Sequence, residues 1–234
     1  FAFHFDGLHR ETGDYDTPVG PLANSALRTD SGGFGLSWIG DGRFVGGSYS
    51  LYSTLYGIPG DEDVRIDMDQ RRSELRAGLD DVGPFETLRA KLARTRYTHT
   101  ELEGAEVGTV FDNDGLEGRL ELVHRRLGGF EGALGLQWSQ RDFSAVGEEA
   151  FVPGSKSRDT GVFWMGKRAL GALDLQLGAR HDRNRIDVDD AVAIGPDRSF
   201  GTTSVSAAIG WELDDAWHLS LGLDRAQGSP TASY

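Results

Sequence analysis

The stretch TTSVSAAIGWEL, residues 202–213, decides the fold class. Val205, Ala207, Ile209, Trp211 and Leu213 share one parity; Ser204, Ser206, Ala208, Gly210 and Glu212 share the other. Successive side chains of a strand point to opposite faces, so the segment reads as a strand with one greasy face and one small, polar face. The pattern recurs in AWHLSLGLDR, 216–225, where Trp217, Leu219, Leu221 and Leu223 oppose His218, Ser220, Gly222 and Asp224. In ALDLQLGAR, 172–180, Leu173, Leu175 and Leu177 oppose Asp174, Gln176 and Arg180, and in GALGLQWSQ, 132–140, Leu134, Leu136 and Trp138 oppose Gln137 and Ser139. In SYSLYSTLYGIPG, 48–60, Tyr49, Leu51 and Leu55 oppose Ser48, Ser50 and Tyr56. There Pro59, which lacks an N–H, and its flanking glycines stop the strand.

Composition narrows the classes of function. With 37 acidic against 24 basic residues the formal charge is -13, opposite to what phosphate recognition needs, so no nucleic-acid partner is expected. Cysteine is absent, so a metal must be held by His, Asp or Glu. No run approaches the ~18 apolar residues of a membrane helix. A β-barrel, however, needs only alternate residues to face lipid and hides from mean hydropathy, here -0.39. No Gly-x-Ser-x-Gly elbow, phosphate loop, His-Glu-x-x-His helix or cysteine nucleophile occurs, and no catalytic residue or resident cofactor is assigned. The opening FAFHFDGLHR has neither Met nor a leader, which suggests a piece of a longer protein.

The connections alternate in length. Short turns fall near 40–42, 80–84, 128–129, 169–172 and 214–215; longer segments rich in Gly, Asp, Pro and Ser lie near 11–31, 56–63, 102–114, 143–158 and 184–199. Outer-membrane barrels show this asymmetry, with tight periplasmic turns and long extracellular loops. About eleven strands are predicted. Trp38, Trp211 and Trp217 near short turns, and Tyr52, Tyr56 and Tyr97 near long ones, suggest interfacial girdles. Two places break the pattern. Val64, Ile66 and Met68 are even but Leu75, Ala77 and Leu79 odd, predicting a bulge or a change of environment; Phe163 and Trp164 leave 160–168 without a clean polar face. A soluble all-β binding or adhesion domain remains the rival, since sandwiches also alternate.

Five phrases carry a resemblance: YSTLYGIPG at 52–60, VRIDMDQRRSELRA at 64–77, YTHTELEGAEVGTVFDNDGLEGRLELVH at 97–124, RDFSAVGEEAFVP at 141–153 and RAQGSPTASY at 225–234. Together they resemble the barrel of TonB-dependent outer-membrane receptors. The last departs from that family's pattern, with Gly228 where Arg is usual and no Glu-Glu-Leu. The combination of Tyr-Gly-Ile-Pro-Gly, Tyr-x-His-x-Glu and Phe-Ser-Ala-x-Gly-Glu-Glu-Ala-Phe resembles the zinc-uptake branch. The resemblance implies an all-β, antiparallel up-and-down transmembrane β-barrel, partial, with residues 1–234 supplying about 11 strands of a roughly 22-stranded barrel whose plug and remaining strands lie elsewhere. It also implies the outer membrane of a Gram-negative bacterium and uptake of a scarce nutrient, most simply a metal ion such as zinc. The expected partners are the TonB system reached through the plug, a metal ion or chelate as substrate, and outer-membrane lipid and lipopolysaccharide. An iron-siderophore or haem receptor is the alternative.

On that footing the strand from about 86 to 101 ascends, with Leu88, Ala90 and Leu92 facing lipid and Arg89, Lys91, Thr95, Tyr97, His99 and Glu101 facing the lumen. His99 and Glu101, two residues apart near the top, suit one cation. The next segment adds Glu103, Glu106, Asp112 and Asp114, read as an acidic loop, and Glu148 and Glu149 extend the metal candidates. Asp61, Glu62 and Asp63 read as loop surface. His9 and His181 lie toward the extracellular ends of strands, His4 shares a lumenal face with Asp6, and His124 and His218 lie near periplasmic turns. Arg180, Arg183 and Arg185 climb toward a loop holding Asp187, Asp189 and Asp190, and are read as salt-bridge ladders.

Overall fold

A computed structural model describes every residue except 62, 149, 190–197, 215 and 229–234. Eleven long antiparallel strands form one sheet whose spatial order follows the chain: β1 (Ala2–Thr12), β4 (Leu27–Gly40), β5 (Arg43–Gly57), β6 (Val64–Val82), β7 (Phe85–Glu103), β8 (Glu106–Leu127), β9 (Phe130–Gly147), β10 (Ser155–Leu170), β11 (Leu173–Val188), β12 (Arg198–Asp214) and β13 (Trp217–Arg225). Two short strands, β2 (Tyr15–Thr17) and β3 (Gly20–Leu22), form a separate hairpin inside the first loop, which the sequence pattern did not announce. The order is that of an up-and-down barrel. It is an open arc, with β1 and β13 each paired on one side only.

All the short turns but the one at 214–215 carry a glycine at positive φ. Gly128 and Gly129, at φ 61° and 86°, join β8 to β9 in the doubly left-handed conformation of a tight hairpin, which glycine adopts without steric cost.

Residues paired in register share a face, so one assignment propagates around the sheet. The lipid-facing rows expected from sequence pair with one another: Leu79 with Leu88, Ala90 with Leu120, Leu122 with Leu134, Leu175 with Ile209, Ile209 with Leu221. These side chains have no second layer to bury them. Leu75 is 57% exposed and Leu221 65%, and Ile66 and Ala93 alone among the described apolar residues are buried. The accessible surface is 15589 Å², whereas a soluble monomer of this mass exposes about 10,000 Å². A sandwich is excluded by the single sheet, and the apolar rows have the exposure that a hydrocarbon solvent requires.

The strands are longer than a bilayer crossing requires. The 22 residues of β8 extend about 70 Å at 3.3 Å per residue, yet ~9–11 tilted residues cross a bilayer. Roughly half of β6 to β9 therefore stands above the apolar band, on the side of the longer connections.

That geometry corrects several expectations. Residues 64–79 hold no bulge, since β6 keeps unbroken register with β5 and β7; the change of environment is what occurs there. The expected loop at 102–114 is a hairpin tip at Gly104 and Ala105, and Asp112 and Asp114 belong to β8. Asp187 likewise lies on β11. Tyr52, Tyr56 and Tyr97 face the lumen and make no upper girdle, because their parity is that of Ser50 and Thr95. Phe163 faces inward beneath the guanidinium groups of Arg119 and Arg180, at 4.9 and 5.9 Å. Trp164 faces outward and donates to His124 Nε2 at 3.1 Å. That is why the segment lacked a polar face.

Candidate functional site

His99 stands on the lumenal face in the upper part of β7, directly opposite Met68 of β6 and Phe111 of β8. Phe111 meets the imidazole edge-on at 5.4 Å between ring centres, and Phe143 extends the cluster at 6.5 Å from Phe111. The Tyr97 hydroxyl, two residues down the same face, lies 3.2 Å from His99 Nδ1. Burial, with Tyr56 nearby, pushes the Tyr97 phenol up, so it is neutral and can accept the Nδ1 proton. In that tautomer Nε2 presents a lone pair. Nε2 is itself buried and has no hydrogen-bond partner, with Glu101 Oε1 3.9 Å away. A buried ring nitrogen left unsatisfied is costly and rare, and a cation held by His99 and Glu101 would relieve it.

Glu101 sits at a break in register. Thr100 pairs with Val110 but Leu102 pairs with Val107, so Glu101 faces an extra residue on β8. The inserted residue belongs to β8, and Glu101 keeps its register with Ile66 of β6 and so its lumenal face. Glu148 follows the end of β9 and is exposed; Gly147 pairs with Thr109 at the start of β8, which places Glu148 on the same rim. Glu149 lies outside the described residues. Among the described residues no three His, Asp or Glu side chains converge to hold a metal.

The other candidates disperse. Asp112 and Asp114 face outward. Thr98 Oγ1 donates to Asp112 at 2.6 Å, and Arg94 grips Asp114 through two nitrogens at 3.1 and 2.5 Å. They leave the vestibule for a reason legible in the parity of 94 to 98. Glu103 and Glu106 flank the hairpin tip as a cross-strand pair. His9 faces outward and bonds Asp30 at 2.6 Å; His181 faces outward against Thr203 at 2.9 Å. His4 bonds Asp6 at 2.9 Å on the lumenal face, as expected. His124 is buried beneath Trp164, and His218 is exposed on β13. The ladder reading holds for Arg180, bonded to Asp182 at 2.6 Å, and for Arg185, bonded to Asp187 at 2.6 Å. Asp61 and Asp63 lie on the exposed β5–β6 loop, and Glu62, Asp190 and the Pro-Thr-Ala segment within 229–234 are outside the described residues. The role of Tyr97 in orienting His99 was missed, although the two share a face.

Solved structures with this arrangement include a protein described as the copper transporter OprC, which superimposes with TM-score 0.78 at 16% identity over 98% of this chain and 41% of its own. The FrpB iron transporter from Neisseria meningitidis (F3-3 variant) gives 0.77 at 15% identity over 97% and 42%. The Serratia marcescens hemophore receptor HasR, solved as a double mutant with its hemophore HasA and heme, gives 0.74 at 16% over 94% and 40%. Such low identities establish the fold alone, and the chain spans about two-fifths of the length of each. Among sequence families, the one described as TonB dependent receptor-like, beta-barrel matches residues 4–234. The chain therefore belongs to the TonB-dependent receptor β-barrel family.

Proposed function

We propose that this chain is part of an outer-membrane receptor of a Gram-negative bacterium that takes up a metal ion, zinc in the first instance, with His99 and Glu101 as early ligands at the outer mouth. The observation that carries this reading is the buried, unpartnered Nε2 of His99 beside the Glu101 carboxylate. Tyr97 fixes the ring, and Glu148 stands as a further oxygen donor from the same rim. The rest of the longer protein supplies the remaining strands and a plug, and the TonB system supplies the force that moves the plug. Two protein ligands form a loose site, which suits cargo that must be released. The resemblance of Tyr-x-His-x-Glu to the zinc-uptake branch supports zinc over copper or iron.

Haem or an iron chelate is the second reading, favoured by the aromatic set Tyr97, Phe111 and Phe143 around His99, against which a planar ligand could stack. Titration of the complete receptor with zinc, copper, a ferric chelate and haem separates the two. The expected result is zinc binding weakened at least tenfold in His99→Ala/Glu101→Ala, with zinc-limited growth impaired. Unchanged zinc affinity, or haem binding lost in its place, overturns the zinc assignment.

A further inference from the structure

Lower in the lumen the chain carries a second His-x-acid pair that the mouth site does not use. His4 and Asp6 stand two residues apart on the lumenal face of β1, as His99 and Glu101 do on β7. The third pair of this kind, His9 and Glu11, faces outward. Cross-strand register runs from His99 through Met68, Thr54 and Thr29 to Arg10. Asp6 and His4 lie four and six residues below Arg10, roughly 13 and 20 Å at about 3.3 Å per residue.

At this depth the two parts of the lumenal wall differ in charge. On β6 to β8, Arg76, Lys91 and Arg119 stand side by side in one row, with Arg72 two rows above. Glu74, Glu117 and Glu121 are each already gripped by one or more of these cations. A cation descending along that side meets repulsion. On β4 and β5 the same rows present Ser37, Gly35 and Gly33, then Gly46, Ser48 and Ser50, a smooth and uncharged surface. Among the described residues Asp6 is the one carboxylate that β1, β4 and β5 turn to the lumen, and the one cation they turn there, Arg10, stands above it in the His99 row. His4, Asp6, Ser48, Ser50 and Glu74 line a cavity of about 440 Å³.

Gly33 sets the position of Asp6. A Cβ at Gly33 would fall 2.5 Å from Asp6 Oδ1, so the carboxylate occupies space that only glycine leaves, and it meets His4 Nε2 at 2.9 Å. We infer that His4 and Asp6 form a second, lower station for the transported cation, which takes it over from His99 and Glu101 on its way down the lumen. A tetrahedral zinc ion sets a nitrogen and an oxygen ligand about 3.3 Å apart, so an opening of roughly 0.4 Å lets the ion replace the proton between Nε2 and Oδ1, the imidazole then carrying its proton on Nδ1. Both side chains are exposed to the lumen, which leaves the rest of the coordination shell to water. Two protein ligands at each station keep either from becoming a trap.

This inference rests on the metal-uptake reading, and the test separates the two. Zinc binding to the complete receptor in detergent is titrated calorimetrically for wild type, for His99→Ala/Glu101→Ala, and for that variant carrying either His4→Ala/Asp6→Asn or Gly33→Ala. Wild type should bind two ions, and loss of the mouth pair should leave one. Its affinity should fall at least tenfold with His4→Ala/Asp6→Asn, and at least threefold with Gly33→Ala, which removes no donor but displaces Asp6. In zinc-limited cells His4→Ala/Asp6→Asn alone should lower maximal uptake at least threefold with half-saturation unchanged, because capture occurs at the mouth. A wild type that binds a single ion, a lower ion that survives loss of His4 and Asp6, or uptake that keeps its maximal rate overturns the lower station and leaves the uptake reading standing. A complete receptor that binds no zinc overturns both.

Discussion

The side-chain amide of Asn24 reaches three carbonyls at once: Ile58 at 3.2 Å, Asp61 at 2.6 Å and Val64 at 2.6 Å. These lie in the turn that follows the Gly-Ile-Pro-Gly brake, so the first loop holds the second. The fit depends on Gly57, where an added Cβ would collide with the Asn24 side chain and its backbone carbonyl. Asn24 itself is at φ 57°, a conformation asparagine tolerates better than most residues. Replacing Asn24 with Ala removes the shared donor and leaves β-turn carbonyls to water, a local loss of about 1–2 kcal/mol. Amide exchange at Asp61 and Val64, whose N–H groups bond within the loop, should then accelerate roughly 5- to 30-fold with the strands unaffected. Exchange that stays slow would mean that the loop holds itself.

Within single strands the hydrophobic phase inverts without any slip in register. On the lower part of β6 the apolar residues face out, as Leu75, Ala77 and Leu79; higher up they face in, as Ile66 and Met68 beside His99 and Tyr56. Lipid below and water above exchange the roles of the two faces. This inversion explains why strands and turns were legible from period-2 alternation whereas the region around the site was not. Asp112 and Asp114 look like loop because their outward face is wet, while Phe111 beside them turns into the packed interior. That His99 and Glu101 share a face was legible from their parity, whereas the extra residue that β8 inserts opposite Glu101 has no sequence signal. Lower in the lumen, Glu74 is nearly buried, 12% exposed, and is gripped by Arg72 at 3.2 Å, Lys91 at 3.3 Å and Arg76, while Arg72 reaches on to Glu117 at 2.6 Å. Glu74→Gln leaves three cations around a neutral amide and ties β6 to β7 less firmly. A loss of about 1–3 kcal/mol is expected, toward the low end because the cations are partly solvated. Urea unfolding of the complete barrel in detergent measures it, and an unshifted midpoint would show that the network contributes only to lumen charge.

On the scale of the whole molecule, every strand of the large sheet between β1 and β13 is paired on both sides, and the described residues hide almost none of the apolar rows. The excess over the surface of a soluble monomer is about 5,000 Å². At roughly 25 cal/mol per Å² of apolar surface, leaving even half of that excess in water is a penalty of tens of kcal/mol, which exceeds the net stability of any ordinary domain. Two free edges add a template for pairing with other copies. The 234-residue chain expressed by itself should therefore self-associate in buffer and become dispersed only when detergent covers the apolar rows. Light scattering after gel filtration, with and without detergent, decides this. A folded, detergent-independent monomer would place the Leu and Trp rows against water after all, and with them would go the membrane, the lumen and the metal path that the two faces of this sheet define.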